Sequence, residues 1–357
     1  MPLLFEPLAI RGTRIRNRVM ASPMCQYSAV DGLPQPWHLV HLGGMARGGV
    51  GLVMAEATAV VPEGRISPQD TGIWSDAHTQ AWAPIVDFAH SQGAVVGLQL
   101  AHAGRKASTY RPWAPQSGSV PVDAGGWPTI GPSSIPFDDF LPPRRLTVEE
   151  LPALVAGFAD GARRALEAGF DTVEIHGAHG YLLHQFLSPL SNDRTDGYGG
   201  SLAGRARLLL EVTEAVREVL PEDRPLLVRI SATDWVEGGH ALDASIEVCR
   251  WLRDRGVDLV DVSSGGLSPQ QRVSLGPGYQ VPFAHRIKHE AGVLTAAVGL
   301  VKEPSRAEQV LAEGSADMIA MARALLRDPQ WPLRAAHELG TEVDYWPPQL
   351  QRAARGW

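Results

Sequence analysis

Asp171-Thr172-Val173-Glu174-Ile175-His176-Gly177-Ala178-His179-Gly180-Tyr181 joins two kinds of sequence. Its first half is a short β-branched run, the composition of a strand buried on both faces of a parallel sheet. Its second half gathers two histidines, two glycines and a tyrosine where that strand must end. Seven further runs of the first kind lie at 18–21, 50–55, 94–100, 226–230, 257–262, 293–297 and 317–321. Between most of them lies one amphipathic segment long enough for a helix. In 148–168, Leu151, Leu154, Val155, Phe158 and Ala162 share a stripe; 201–220 and 241–256 are similar. Alternating strand and helix means an α/β fold. Eight units in ~300 residues predict closure into a (β/α)8 TIM barrel rather than an open sheet.

Two departures from a plain barrel stand out. Residues 1–17 predict a short N-terminal hairpin turning at Gly12-Thr13, placed to plug the barrel bottom. The stretch 101–145 after strand 3 is rich in Pro, Gly and Trp, and its length predicts a lid or binding loop. No boundary divides the chain, so 1–357 reads as a single domain ending in a tail, 346–357.

Composition narrows the function. The chain has 357 residues, 44% apolar and 20% charged, enough for a sizeable core. Its net charge of −7 and lack of a basic block argue against nucleic acid or an anionic membrane as partner. Cys25 and Cys249 are the only cysteines, which excludes a disulfide framework and any four-thiolate zinc or iron–sulfur site. No apolar run approaches the ~20 residues of a membrane span. Glu6, Arg11, Arg14 and Arg16 interrupt the N-terminus, so no signal peptide is read and a cytoplasmic location is expected.

In barrels of this kind the chemistry lies at the C-terminal ends of the strands. In chain order those ends carry Ser22-Pro23-Met24-Cys25-Gln26-Tyr27, Glu56-Ala57, Gln99 with His102, and His176–Tyr181. Then come Arg229 with Ser231 and Asp234, Ser263–Gly266, Val298-Gly299 and Ala322-Arg323. No Rossmann or P-loop fingerprint occurs. The loops after strands 7 and 8 are the usual phosphate site of a barrel, and Gly299, Ala322 and Arg323 occupy them. His176 and His179 allow two readings. One is a zinc site, which needs at least a third ligand. The other is a pair of N–H donors for an oxygen that gains negative charge, with Tyr181 as proton donor.

These residues resemble the Old Yellow Enzyme family of FMN-dependent ene-reductases, above all its bacterial NADPH dehydrogenase and xenobiotic reductase branch. The resemblance runs through Ser22–Tyr27, Gly72-Ile73-Trp74-Ser75-Asp76, Gln99–Lys106, His176–Tyr181, Ser188–Gly200 and Arg327-Asp328-Pro329. It implies that Ser22, Pro23, Met24, Cys25, Ala57, Gln99 and Arg229 hold the isoalloxazine and ribityl chain of a tightly bound, non-covalent FMN. Gly299, Ala322 and Arg323 would take its phosphate. His176 and His179 would grip the substrate's activating oxygen, Tyr27 would add a contact, and Tyr181 would protonate Cα. Cys25 would tune the flavin potential.

The implied activity is a ping-pong reduction by NADPH of the C=C bond of enones, enals, maleimides and nitro compounds. A homodimer or homotetramer is implied too, with Arg355 of the tail reaching the neighbouring site. Ala322 replaces a glycine of a close branch, which is harmless only if φ is negative. Val298 stands where another branch has a tryptophan, implying a roomier pocket. Multi-domain relatives that carry an iron–sulfur cluster are excluded by the cysteine count. A metal-dependent barrel hydrolase and a non-catalytic flavin-binding module remain as alternatives. The stretch 192–200, His38, His41 and Cys249 are read as structural.

Overall fold

The computed structural model describes residues 1–354. Eight strands form a closed parallel barrel in chain order. They are β1 (Val19–Ala21), β2 (Leu52–Ala59), β3 (Val95–Ala101), β4 (Thr172–Gly177), β5 (Leu226–Ser231), β6 (Leu259–Ser263), β7 (Leu294–Ala297) and β8 (Met318–Met321). The ring closes where Ile319, Ala320 and Met321 pair with Val19, Met20 and Ala21. Each predicted run overlaps one of these strands; five strands continue past the C-terminal end of their run, β2 the furthest, to Ala59.

Strand parity splits the core in two. Val173, Ile175, Val228, Ile230, Val260 and Val262 face outward into the layer shared with the helices. The alternate residues face the barrel interior. Met20, Leu52, Met54, Leu227, Leu259 and Met318 fill its floor. Above them, register sets Gln99 beside Glu174 and Arg229 beside both His176 and Asp261. The interior therefore changes from apolar floor to polar layer to open mouth within one strand length.

The helices follow from sequence. Leu151–Glu167 buries Leu151, Leu154, Phe158, Ala162 and Ala165. Leu202–Val219 begins at Ser201, whose hydroxyl accepts the Gly204 N–H, an N-cap worth about 1 kcal/mol.

The N-terminal residues pair as an antiparallel hairpin, Leu8–Ile10 with Thr13–Ile15. The turn lies one residue earlier than expected, at Arg11-Gly12, because Thr13 already pairs with Ile10. Ile10 and Ile15 pack into the apolar floor. The Leu3 and Leu4 amides both donate to the Glu308 carboxylate at 2.9 Å.

The excursion after β3 is tied down at several points. Buried Arg105 donates to the carbonyls of Ile135, Pro136 and Leu267. Arg194 donates to those of Pro132 and Leu146. Asn192 donates to the Phe186 and Tyr198 carbonyls. The 192–200 stretch thus braces the excursion. No helix among the described residues is long and apolar enough to cross a membrane.

Candidate active site

The turn after β4 is held by its neighbours. His179 (φ 57°) and Gly180 (φ 71°) are both left-handed. A Cβ on Gly180 would lie 2.3 Å from the Gly266 carbonyl oxygen, so the turns after β4 and β6 meet backbone to backbone only because that residue is glycine. The His179 amide donates to the Ser231 hydroxyl (2.9 Å), which donates to the Gly265 carbonyl (2.8 Å). The Gly180 amide donates to His184 Nδ1 at 2.9 Å, and His184 Nε2 pairs with buried Asp234 at 2.9 Å.

This turn brings three predicted residues together. The His176 ring centroid lies 5.2 Å from that of His179 and 5.0 Å from that of Tyr181. His176 is buried, and its Nδ1 has no hydrogen-bond partner. Burial, reinforced by the Arg229 charge, pushes both histidines well below the ordinary range, so they are neutral at pH 7. Burial likewise pushes the Tyr181 hydroxyl well up, keeping its proton on. Lys106 Nζ donates to the carbonyls of His179 and Gly266, each at 2.9 Å, and sits 5.1 Å above the Tyr181 ring. Burial lowers Lys106 to about 8.

Cys25, Tyr27 and Tyr181 pack on one small patch with Ala57, Ile66 and Ala101. The Cys25 thiol is pushed well up by burial, then by Asp70 and Glu56, so it is a neutral thiol. A β-bulge at Glu56 shifts the register between Ala55 and Ala57. Bulges re-aim side chains, and Glu56 here accepts the Gln26 amide at 2.7 Å and meets His38 Nε2 at 2.9 Å. His38, read as structural, is buried edge-on against Trp82 and meets the carboxylate that anchors the loop carrying Cys25 and Tyr27. His41 is partly buried and Cys249 fully buried.

The interior layer beneath is polar. Gln99 Nε2 donates to Glu174 Oε1 at 2.6 Å. Arg229 Nε lies 3.1 Å from Asp261 Oδ2 without hydrogen-bond geometry.

The loops after β7 and β8 form a cleft of about 180 Å³ lined by Ser263, Gln280, Gly299, Met321, Ala322 and Arg323 among others. Gly299 has φ 123°, and a Cβ there would lie 3.0 Å from Gln280 and Tyr279. Ala322 has φ −112°, so its replacement of glycine carries no left-handed strain. Val298 packs partly buried against the floor cluster.

Arg355 lies outside the described residues. Pro23 and Met24 follow Ser22 along the β1 loop, and the Met24 carbonyl accepts the Gln26 side-chain amide. Sequence reasoning assigned no role to Lys106, Glu174, Asp261, Glu56 or His184. A charged residue inside an apolar run was the available signal for the first two acids.

The chain matches the NADH:flavin oxidoreductase / NADH oxidase family over residues 3–342. It belongs to that family, the Old Yellow Enzyme family. It is an oxidoreductase of the barrel type. An NADPH dehydrogenase of Halalkalibacterium halodurans is 46% identical over 352 residues, covering 98% of each chain. An NADH:flavin oxidoreductase of Gibberella zeae is 44% identical over 95% of this chain and 86% of its own. Among solved structures, morphinone reductase in complex with tetrahydroNAD superposes with a TM-score of 0.79 at 27% identity, covering 98% of this chain and 94% of that one. A 2-naphthoyl-CoA reductase reaches a TM-score of 0.86 at 25% identity over 94% of this chain. This chain spans about half the length of that reductase (52%).

The site's chemistry fits a flavin. Buried Ser22 Oγ, just past the end of β1, His176 Nδ1 on β4 and Arg229 Nε on β5 have no hydrogen-bond partner. Neutral donors, an arginine and apolar walls are what a planar ring with polar edges requires.

Proposed function

We propose that this oxidoreductase is an FMN-dependent, NADPH-reduced ene-reductase acting on α,β-unsaturated carbonyl and nitro compounds. The convergence of the His176, His179 and Tyr181 rings carries this reading. A bound flavin supplies the two-electron chemistry. His176 and His179, neutral through burial, donate N–H hydrogen bonds to the substrate's activating oxygen, where negative charge develops. Tyr181, held protonated, delivers its proton to the substrate's Cα. Tyr27, on the same patch as Tyr181, adds a substrate contact and has Trp113 edge-on to it at 5.8 Å. Ser22, Pro23, Met24, Cys25, Ala57, Gln99 and Arg229 hold the ring system, and Arg229 offsets its charge when reduced. Gly299, Ala322 and Arg323 hold the phosphate in the cleft they share. Among the described residues no group of three His, Cys, Asp or Glu side chains is arranged to hold a metal, which weighs against the hydrolase reading.

The test is anaerobic. NADPH should bleach the yellow protein, and an enone should restore its colour. Bleaching without recovery would leave an NADPH dehydrogenase with some other electron acceptor, and no bleaching would leave a flavin-binding module. A homodimer or homotetramer with Arg355 acting in trans completes the proposal. Deleting residues 353–357 should raise KM and weaken assembly, and an unaffected enzyme would refute it.

A further inference from the structure

Glu174 and Asp261 stand in the middle of apolar strands and face the barrel interior, both wholly buried. The cation close to them is Arg229, 7% exposed. With both acids ionised, this layer carries two negative charges against one positive. An uncompensated charge in such a place is costly. Hydrogen bonding points the same way. Glu174 Oε1 takes the Gln99 donor, whereas Glu174 Oε2 and both Asp261 oxygens have none. The site thus holds acceptors in excess of donors, and a carboxyl proton corrects that.

We propose that Glu174 and Asp261 together hold one proton beside Arg229, and that this proton site responds to the charge of the redox ring bound above it. The second half rests on the proposed function. The groups facing the pair are few: Arg229 on β5, the two acids themselves on β4 and β6, and neutral His176 on β4. Gln99 on β3 is uncharged, and β1, β2, β7 and β8 contribute Met20, Met54, Ala296 and Ala320 to the interior. Burial, then the Asp261 charge, pushes Glu174 up to about 8, against the pull of Arg229 and Gln99. Burial raises Asp261 as well.

The balance is simple. A hydride brings the ring two electrons and one proton, so the ring gains one negative charge. That charge competes for Arg229 and raises the proton affinity of the acid pair. Above about pH 8, where the pair is ionised while the ring is oxidised, reduction therefore draws a second proton from solvent onto a carboxylate.

Infrared spectroscopy reads the proton directly, whether or not the flavin chemistry is as proposed. Spectra of the purified full chain at pH 7 would be compared for wild type, Glu174→Gln and Asp261→Asn. Wild type should show one protonated-carboxyl C=O band that both variants lack, because one acid beside one arginine needs no proton. Asp70, another buried carboxyl, is common to all three and cancels. A band that survives Asp261→Asn would mean burial alone protonates Glu174, and sharing would be wrong. Should a variant fail to fold, the wild-type spectrum itself must lose one C=O band with a midpoint near pH 8, whatever band Asp70 keeps; loss of none there overturns the proposal. Potentiometry tests the second half. The wild-type midpoint potential should gain one proton per two electrons above about pH 8, and folded variants should not. Equal slopes would refute the coupling, while a chain that binds no flavin would refute only the reading it rests on.

Discussion

His179 and Ser263, at the ends of β4 and β6, meet at 2.7 Å through Nε2 and Oγ. A serine so placed fixes the rotation of the ring and leaves His176 to be aimed by burial alone. The roles then rank. His176→Ala or His179→Ala should each lower enone turnover ~10²–10³-fold, the usual effect of losing an oxyanion donor. Ser263→Ala removes one neutral hydrogen bond and should lower it about 5–10-fold. Steady-state kinetics with cyclohexenone would decide; a serine effect as large as the histidine effects would give Ser263 a direct role.

Tyr181→Phe should slow reoxidation by an enone about 10²–10⁴-fold and spare reduction by NADPH. Stopped-flow traces of the two half-reactions separate these effects. Equal losses in both would mean that Tyr181 only shapes the pocket.

Gly299→Ala should destabilise the chain by about 1–3 kcal/mol, because φ 123° is foreign to residues with a Cβ. The new methyl group also meets Gln280 and Tyr279 in the cleft assigned to the phosphate, so FMN should dissociate faster. Thermal melts with and without added FMN report both effects. An unchanged melting temperature would mean that the loop after β7 yields at no cost.

Cys25→Ala should shift the flavin midpoint potential without unfolding the protein, since a partly buried neutral thiol is polarisable and packs as a small hydrophobe. A spectroelectrochemical titration that matched wild type would leave Cys25 with packing alone.

His240 is buried, and burial lowers it to about 4. Below its unfolded value of about 6.5 the unfolded chain binds a proton that the native state refuses. Its contribution to stability is intact above pH 6.5 and is lost as pH falls toward 4. Glu174, raised to about 8, has the opposite sign: between its unfolded value and 8 the native state holds the extra proton, so stability falls as pH rises. The two groups oppose each other in wild type, so the clean test is a difference. Between pH 7 and 5, wild type should lose about 2 kcal/mol more than His240→Asn, measured by urea denaturation. Equal losses would mean that His240 accepts its proton in the native state.

The barrel was legible because one face of every strand packs on helices. Val173 and Ile175, or Val260 and Val262, announce that face whatever the interior holds. The polar layer was not, because Glu174 and Asp261 sit inside runs read as apolar throughout, and a run buried on both faces hides its parity. The rim residues His176, His179, Tyr181 and Arg229 were found because their types are unusual at strand ends. Lys106 was quoted without a role: its partners are the His179 and Gly266 carbonyls, and a carbonyl leaves no mark in the sequence. The partner of His38 was hidden for a related reason, since the Glu56 carboxylate that meets it lies at a bulge.

The hairpin under the barrel floor bears on the order of folding. Ile10 and Ile15 are synthesised before every strand of the barrel, yet their partners include Leu227, Leu259 and Met318. The Leu3 and Leu4 amides likewise wait for Glu308, 305 and 304 residues downstream. Contacts of such sequence separation are slow to form and leave apolar chain open to aggregation meanwhile. During synthesis the hairpin must remain without its full set of native partners until Met318 has been made.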